Sequence, residues 1–99
     1  MKAISLHEEA DAETVRIAML YNREEPGLGF EFLEELDRAL QLPRGNPKAC
    51  PEVYKGIRRL TMRRFPYSIY YVEESQRLRV LSVAHNRQKP GYWLERMKQ

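Results

Sequence analysis

The sequence predicts an α+β fold in which a two-helix hairpin covers one face of a small antiparallel β-sheet. Three observations predict it: a short alternating segment at the N-terminus, two helix-periodic segments after it, and three strand-like runs in the second half. The predicted order is β-α-α-β-β-β, with about four strands and a short C-terminal helix. Helices and strands that separate along the chain are typical of this class. With 99 residues, we expect a single domain over residues 1–99.

A change of periodicity near residue 8 predicts the first strand and the first helix. Ile4 and Leu6 alternate with polar neighbours, which indicates a strand over residues 2–7. Acidic residues follow from Glu8 onward, where the dipole at a helix N-terminus favours negative charge. An apolar face at helical spacing then comprises Ala10, Thr14, Ile17, Ala18 and Tyr21. One proline and two glycines in residues 26–29 are predicted to end this helix.

The second helix has the clearest periodicity in the chain. Its apolar stripe follows the i, i+3, i+4, i+7 pattern and comprises Gly29, Phe32, Leu33, Leu36, Ala39 and Leu40. Pro43 is predicted to end the helix, because proline cannot donate the backbone hydrogen bond that a helix interior needs. Two helices joined by so short a turn should form an antiparallel hairpin.

Three strand-like runs follow a proline-rich loop over residues 43–52. They are, in chain order, Tyr54 to Phe65, Tyr67 to Glu73 and Leu78 to His85. The short turns between them imply antiparallel neighbours. In the last run, Leu78 and Val80 are expected on one face, and Leu81 and Val83 on the other. A strand that is apolar on both faces should be central and covered twice.

Composition excludes several classes of protein. An apolar fraction of 42% with ten aromatic residues suffices for a packed core, which argues against disorder. No apolar run approaches the ~20 residues of a membrane span, and the acidic N-terminal segment lacks the apolar stretch of a signal peptide. We therefore expect a cytoplasmic protein, and the single cysteine, Cys50, is consistent with that compartment. No phosphate loop, metal-ligand spacing or serine elbow is found, so we expect no cofactor and no metal.

Charge is divided unevenly between the two halves of the chain. Residues 1–42 hold four basic and ten acidic side chains, whereas residues 43–99 hold thirteen basic and four acidic ones. The overall charge of +3 therefore joins an acidic helical half to a basic half. The basic half should attract RNA, DNA or an acidic protein segment, and charge alone does not choose among them.

The basic run from Lys55 to Arg64 is the strongest candidate for a binding surface. With a strand period of two, Arg59 and Arg63 share one face, while Leu60 and Met62 point to the core under the helices. The two arginines are expected on a face that the helices leave open. The predicted target-binding surface comprises Lys55, Arg59, Arg63, Arg87 and Lys89. The alternative is an edge strand whose basic residues only prevent aggregation.

Three residues near the C-terminus have open interpretations. His85 ends the last strand, where it either acts as a general acid or base or makes hydrogen bonds that order the tail. Tyr92 and Trp93 either stack on a nucleic-acid base or form a hydrophobic clasp on the sheet.

Three segments of the chain, taken in order, match one known family. They are PGLG at residues 26–29 with FLEEL at 32–36, GIRR at 56–59 with RFPYSIYY at 64–71, and VLSVAHNRQKPGYW at 80–93. Together they resemble the helical hairpin, the first hairpin strands and the closing strand and tail of RelE/ParE superfamily toxins of type II toxin–antitoxin systems. The resemblance extends from about Glu8 to Arg96 and is closer to ParE-like than to RelE-like members.

The resemblance implies a plasmid-stabilization type of toxin that inhibits growth until a cognate antitoxin wraps an extended or helical segment around it. ParE-like members poison DNA gyrase, whereas RelE-like members are metal-independent, ribosome-dependent mRNA endoribonucleases. Arg59 matches one cationic position of the ribonuclease pattern, but Thr61 and Ser68 occupy positions where further cations are expected. Because metal-free phosphoryl transfer needs several cations to hold developing charge, the resemblance favours a gyrase poison without enzyme activity.

Two alternatives remain open beside the gyrase poison. A RelE-like ribonuclease would clamp phosphate with Arg59, Arg63 and Arg87, and His85 or Tyr92 would move a proton. A basic binding module would have no toxicity at all. Val15 and Met19 lie beyond the core face of the first helix. They are expected either to receive the antitoxin or a second copy, or to pack against the C-terminal tail.

Overall fold

A computed structural model describes residues 2–89 and 91–98, so Met1, Pro90 and Gln99 lie outside the described residues. The elements are β1 (Ala3–Leu6), α1 (Glu8–Glu24), α2 (Leu28–Gly45), β2 (Glu52–Tyr54), β3 (Ile57–Thr61), β4 (Tyr67–Glu73), β5 (Arg77–His85) and a C-terminal 3-10 helix (Tyr92–Lys98). The predicted α+β class is confirmed. The sheet has five strands in the order β1-β5-β4-β3-β2 and is mixed, because β1 pairs with β5 in parallel and the other pairs are antiparallel.

The additional strand arises because a tight turn divides the run that was predicted as one strand from Tyr54 to Phe65. Lys55 and Gly56 both have positive φ angles, of 21° and 86°, and Tyr54 pairs with Ile57 across them. Positive φ at both central residues is typical of the type I′ turn of a two-residue hairpin. Lys55 therefore lies at the tip of a hairpin, and β3 begins only at Ile57.

The prediction that Pro43 ends the second helix is wrong, because α2 continues to Gly45. Proline in the last turn removes one backbone hydrogen bond but leaves the turns before it intact. The backbone N–H of Asn46 donates to Leu42 O at 3.0 Å and completes that turn. Pro43 is itself buried, so its ring contributes to packing at this end of the helix.

The main hydrophobic core lies between the helical hairpin and one face of the sheet. The helices contribute residues that include Ala10, Ile17, Phe32, Leu36 and Leu40, and the sheet contributes Leu60, Met62, Ile69, Tyr71, Leu78, Val80 and Val83. Leu60 and Met62 thus point to the core as predicted. No helix within the described residues is long and apolar enough to cross a membrane.

A β-bulge in β5 reverses the expected direction of the residues after it. Tyr70 pairs with Ser82 but Tyr71 pairs with Val80, so Leu81 is an additional residue in the ladder. Leu81 belongs to a second cluster on the far face of the sheet, which is the face turned away from the helical hairpin. Val83 returns to the core under the helices. The expectation that Leu81 and Val83 share a face is therefore wrong, since the inserted residue changes the alternation.

The far face of the sheet is not open, which corrects the expectation that the arginines of the basic strand lie on an uncovered face. The C-terminal 3-10 helix covers part of it, and Trp93 stacks on Tyr70 with 4.7 Å between ring centroids. The cluster beneath it comprises Ile57, Tyr70, Val72, Leu81, Ala84 and Trp93. Apolar residues on this face of β3, β4 and β5 provide the surface that the tail buries. Trp93, which is 2% exposed, forms the hydrophobic clasp and is not available to stack on a base.

Candidate functional site

The five residues of the predicted target-binding surface are all exposed, but they do not form one patch. Arg63 follows β3, and Arg87 follows β5 with Lys89 close behind it. Because β3 and β5 are both antiparallel to β4, they run in the same direction and end at the same side of the sheet. Arg59 lies within β3 on the far face, whereas Lys55 lies in the hairpin turn at the opposite end of the sheet.

The arginines of this region differ in whether their charge is compensated within the protein. Arg58 donates to Cys50 O at 2.7 Å and lies 3.9 Å from Glu52 Oε1, and Arg64 forms an ion pair of 2.6 Å with Glu31. The uncompensated side chains are Arg59, Arg63, Arg87 and Lys89, which make no hydrogen bond or ion pair with any described residue. Their positive charge is therefore free for an anionic partner.

Neutral side chains connect the strand ends between these cations. Ser68 Oγ donates to Asn86 Oδ1 at 2.6 Å, and Thr61 Oγ1 lies 3.4 Å from the same hydroxyl. These two hydroxyls occupy the positions where the ribonuclease pattern expects cations. The described side chains also contain no group of three or more His, Cys, Asp or Glu residues that could hold a metal ion.

The residues considered for proton transfer, His85 and Tyr92, lie on opposite faces of the sheet. His85 pairs with Tyr67 across the strands and packs edge-on against that ring, on the helix face, with centroids 5.2 Å apart. Its Nδ1 accepts from the backbone N–H of Arg87 at 3.1 Å, so His85 orders the turn after β5. Tyr92 packs instead against the cluster on the far face.

The hydroxyl of Tyr92 is already engaged within the protein. It lies 2.5 Å from Ser82 Oγ and donates to Glu13 Oε2 at 3.1 Å. Burial raises the pKa of Tyr92, so its hydroxyl releases a proton less readily than that of an exposed tyrosine. His85, Tyr92 and Arg59 are therefore not assembled around one position where a phosphate could react.

A buried ion pair, which the sequence analysis did not identify, joins α1 to the C-terminal helix. Arg96 donates from both Nη atoms to the two carboxylate oxygens of Glu13 at 3.0 Å, and its Nε lies 2.9 Å from Glu9. Burial by itself lowers the pKa of Arg96. Its hydrogen bond with Glu13 and the nearby negative charges raise the pKa by more than burial lowers it, so the guanidinium stays charged. The sequence offered one signal for this role of Glu13: its position three residues after the buried Ala10 places it on the core side of α1.

The same pair satisfies the edge of β5 beyond the point where β1 ends. Glu13 Oε1 accepts from the backbone N–H of Val83 at 3.0 Å, and Arg96 Nη1 donates to Leu81 O at 2.9 Å. Backbone groups next to the bulge would otherwise lie buried without partners. The ion pair therefore takes the role that a neighbouring strand has elsewhere in the sheet.

Val15 and Met19 lie on the outer surface of α1, where 51% and 61% of each residue is exposed. With Ala12 and Leu20 they form an apolar groove of about 400 Å³, and Arg16 and Arg23 also line it. Every residue of this groove belongs to α1. The alternative that these residues pack against the C-terminal tail is therefore not observed.

Comparison with known proteins identifies one family and a similar fold. The family model described as the ParE toxin of the type II toxin–antitoxin system parDE matches residues 4–90. Among solved structures, the chain is similar to one from the chromosomal ParDE toxin–antitoxin system of P. aeruginosa, with a TM-score of 0.74 and 19% identity. The alignment covers 86% of this chain and 96% of that chain, and at this identity it shows a shared fold alone. No curated protein sequence matches significantly.

Proposed function

Because the chain belongs to the ParE toxin family of type II toxin–antitoxin systems, we propose that it poisons DNA gyrase and that a ParD-type antitoxin neutralises it. The family match agrees with the ParE-like side of the resemblance seen in the sequence. The observation that carries the choice of target is that Thr61 and Ser68 place neutral hydroxyls between the uncompensated cations that follow β3 and β5, where a ribonuclease would need further cations. Exposed guanidinium groups without internal partners favour association with an anionic complex such as gyrase on DNA.

The arrangement of the remaining candidates favours binding over RNA cleavage. Metal-free phosphoryl transfer requires several cations and a proton donor around one phosphate. Here Thr61 and Ser68 contribute neutral hydroxyls, and His85 and Tyr92 lie on opposite faces of the sheet. The ribonuclease alternative therefore has no specific geometric support.

Expression of the chain without an antitoxin tests the target. We expect loss of viability with accumulation of double-strand DNA breaks and intact messenger RNA, and conversion of supercoiled plasmid to linear DNA by purified gyrase in the presence of the toxin. The double variant Arg63→Gln/Arg87→Gln should weaken both effects. The matched control Arg23→Gln/Lys48→Gln removes one exposed charge from α1 and one from the loop between α2 and β2, and it should leave both effects unchanged.

Two other outcomes would replace this proposal. Cleaved messenger RNA on purified ribosomes, with intact DNA, would assign the chain to the ribonucleases. Harmless expression at a verified protein level would assign it to binding modules without toxicity.

The antitoxin-binding surface is proposed to be the α1 groove around Val15 and Met19. Its apolar floor fits an amphipathic helix, and the flanking Arg16 and Arg23, seven residues apart, fit acidic side chains at the same spacing on that helix. Val15→Asp/Met19→Asp should retain toxicity and escape neutralisation by the antitoxin. Phe30→Asp/Leu42→Asp, which changes two exposed apolar residues of α2, should still be neutralised. If both double variants are neutralised equally, the groove is not the antitoxin site.

A further inference from the structure

A cleft of about 340 Å³ on the far face of the sheet lies apart from the α1 groove and from the cations that follow β3 and β5. It is bounded by the β2–β3 hairpin and by the C-terminal 3-10 helix. Its walls are formed mainly by Val53, Tyr54, Arg59, Tyr70, Trp93 and Leu94. The volume is near the lower limit for pockets that hold small-molecule ligands. The walls are apolar or aromatic apart from one cation, Arg59.

The hairpin wall of the cleft presents apolar surface that the protein itself leaves in water. Val53 and Tyr54 are 41% and 45% exposed, although both side chains are large and hydrophobic. Consecutive residues of a regular strand point to opposite faces. Here the register of β2 against β3 shifts between Glu52 and Tyr54, and an irregularity of this kind redirects a side chain, so both residues line the cleft. A ligand in the cleft would remove this surface from water, which favours binding.

Arg59 provides the charge of the cleft. Its guanidinium is exposed and makes no hydrogen bond or ion pair with any described residue. Arg58 beside it is instead engaged with Cys50 O and Glu52. A guanidinium forms two parallel hydrogen bonds with a carboxylate, and apolar walls strengthen this pairing because they lower the local dielectric constant. The cleft therefore matches a ligand that joins one carboxylate to an apolar group.

Aromatic side chains in the walls favour a ring as that apolar group. Tyr70 and Trp93 stack on each other with 4.7 Å between ring centroids, and Tyr54 lines the hairpin side. Aromatic rings attract one another through edge-to-face and offset contacts, beyond the effect of the area they bury. A nucleoside monophosphate fits less well, because its phosphate carries nearly two negative charges at neutral pH and the cleft holds one cation.

We propose that this cleft binds a small aromatic monocarboxylate, such as an arylalkanoic acid. The carboxylate pairs with Arg59, and the ring packs against Val53, Tyr54 and Leu94. The ligand is a small molecule, and its site shares no residue with the proposed antitoxin groove. Binding of such a compound does not depend on whether gyrase is the target, so a negative result here leaves the proposed function untouched.

The chain contains a single tryptophan, so its indole N–H gives one resonance in a ¹H–¹⁵N correlation spectrum and reports on the cleft directly. The probes are phenylacetate and 3-phenylpropionate, added to ¹⁵N-labelled protein from cell-free synthesis. We expect one or both to shift this resonance saturably, with a Kd on the order of 1 mM or below. Arg59→Leu should weaken binding by about tenfold or more, because it removes the charge-assisted pair. Arg59→Lys, which keeps the charge, should recover part of the affinity.

Controls separate binding in the cleft from non-specific association. Arg63→Leu removes another exposed, unpaired arginine outside the cleft and should bind the probes like the unaltered protein. Val53→Ser removes part of the exposed apolar wall and should weaken binding by about threefold or more. Acetate, which lacks the ring, and phenylacetamide, which lacks the charge, should each bind more weakly than the tighter probe by about tenfold or more.

Four results would overturn the proposal. They are the absence of a saturable shift with either probe, equal binding by Arg59→Leu and the unaltered protein, and binding of acetate or phenylacetamide as tight as that of the aromatic acids. The fourth is tighter binding of adenosine monophosphate than of both probes, which would assign the cleft to nucleotides.

Discussion

At the residue scale, the ion pair between Glu13 and Arg96 determines where the C-terminal helix lies. The two residues are 7% and 8% exposed, so neither charge has water to solvate it. Glu13 accepts hydrogen bonds from Ser82, Val83 and Arg96. Among the described residues, Arg96 makes both ion pairs between α1 and the tail, one with Glu13 and one with Glu9. It therefore connects the helix face of the molecule to the far face.

Substitution of one partner should cost more than substitution of both. Arg96→Ala or Glu13→Ala should lower the free energy of unfolding by about 3–5 kcal/mol, because each leaves a buried charge without its partner. The double variant Glu13→Ala/Arg96→Ala should lose less than the sum of the two, since it removes both charges together. Urea unfolding of the four proteins provides the double-mutant cycle. Additive losses would show that the two side chains act independently.

At the element scale, the helical hairpin depends on the close approach of α1 and α2 at Gly29. A Cβ atom at this position would lie 2.1 Å from Ala18 O and 2.7 Å from Asn22 Cγ. The backbone N–H of Gly29 also donates to Asn22 Oδ1 at 2.8 Å. The first of these contacts involves backbone, which cannot move aside without separating the helices.

Gly29→Ala should therefore destabilise the fold by about 1–3 kcal/mol or more, as expected for overpacking at a well-packed contact. Gly45→Ala is the matched control, because a Cβ atom there has no neighbour within 4 Å. It should be neutral or stabilise by up to about 1 kcal/mol through the higher helix propensity of alanine. Thermal unfolding of both variants measures the difference. Equal melting temperatures would contradict the close approach.

Periodicity in the sequence predicted individual elements better than it predicted how they meet. β4 was predicted with its observed limits, Tyr67–Glu73, because its aromatic and β-branched residues favour a strand throughout. The parallel pairing of β1 with β5 was not predictable, since alternation identifies a strand's faces but not its neighbours. The bulge at Leu81 adds one residue without any change in composition, so it was not visible in the sequence either.

For the candidate sites too, the sequence predicted the exposure of single residues better than their contacts. The exposure of Val15 and Met19 was predictable from the width of the apolar face of α1. The partners of Glu13 were not, because Arg96 is 83 residues away in the chain. The burial of Trp93 on Tyr70 also required the structure, since it depends on where the C-terminal helix crosses the sheet.

At the scale of the whole molecule, the sheet is a layer that is covered on both faces, and tyrosine hydroxyls lie in both covers. Tyr21 and Tyr67 belong to an aromatic cluster under the helices, where their ring centroids are 6.3 Å apart. Tyr71 donates to Pro47 O at 2.8 Å on that side, and Tyr92 donates to Glu13 on the other. Burial raises the pKa of all four tyrosines above the ordinary value of 10.0.

Alkaline unfolding tests whether both covers hold the sheet together. A tyrosine whose pKa is higher in the folded than in the unfolded state contributes stability that is complete below pH ~10 and is lost as pH rises through the folded pKa. We therefore expect unfolding above pH ~10 in which tyrosinate absorbance and loss of far-ultraviolet circular dichroism coincide. Tyr92→Phe should reduce the proton release that accompanies unfolding in this range by up to about one proton. Tyrosinate absorbance from more than two of the six tyrosines, with unchanged circular dichroism, would instead mean that these four hydroxyls ionise within the folded protein, and that burial by the helices and the tail does not protect them.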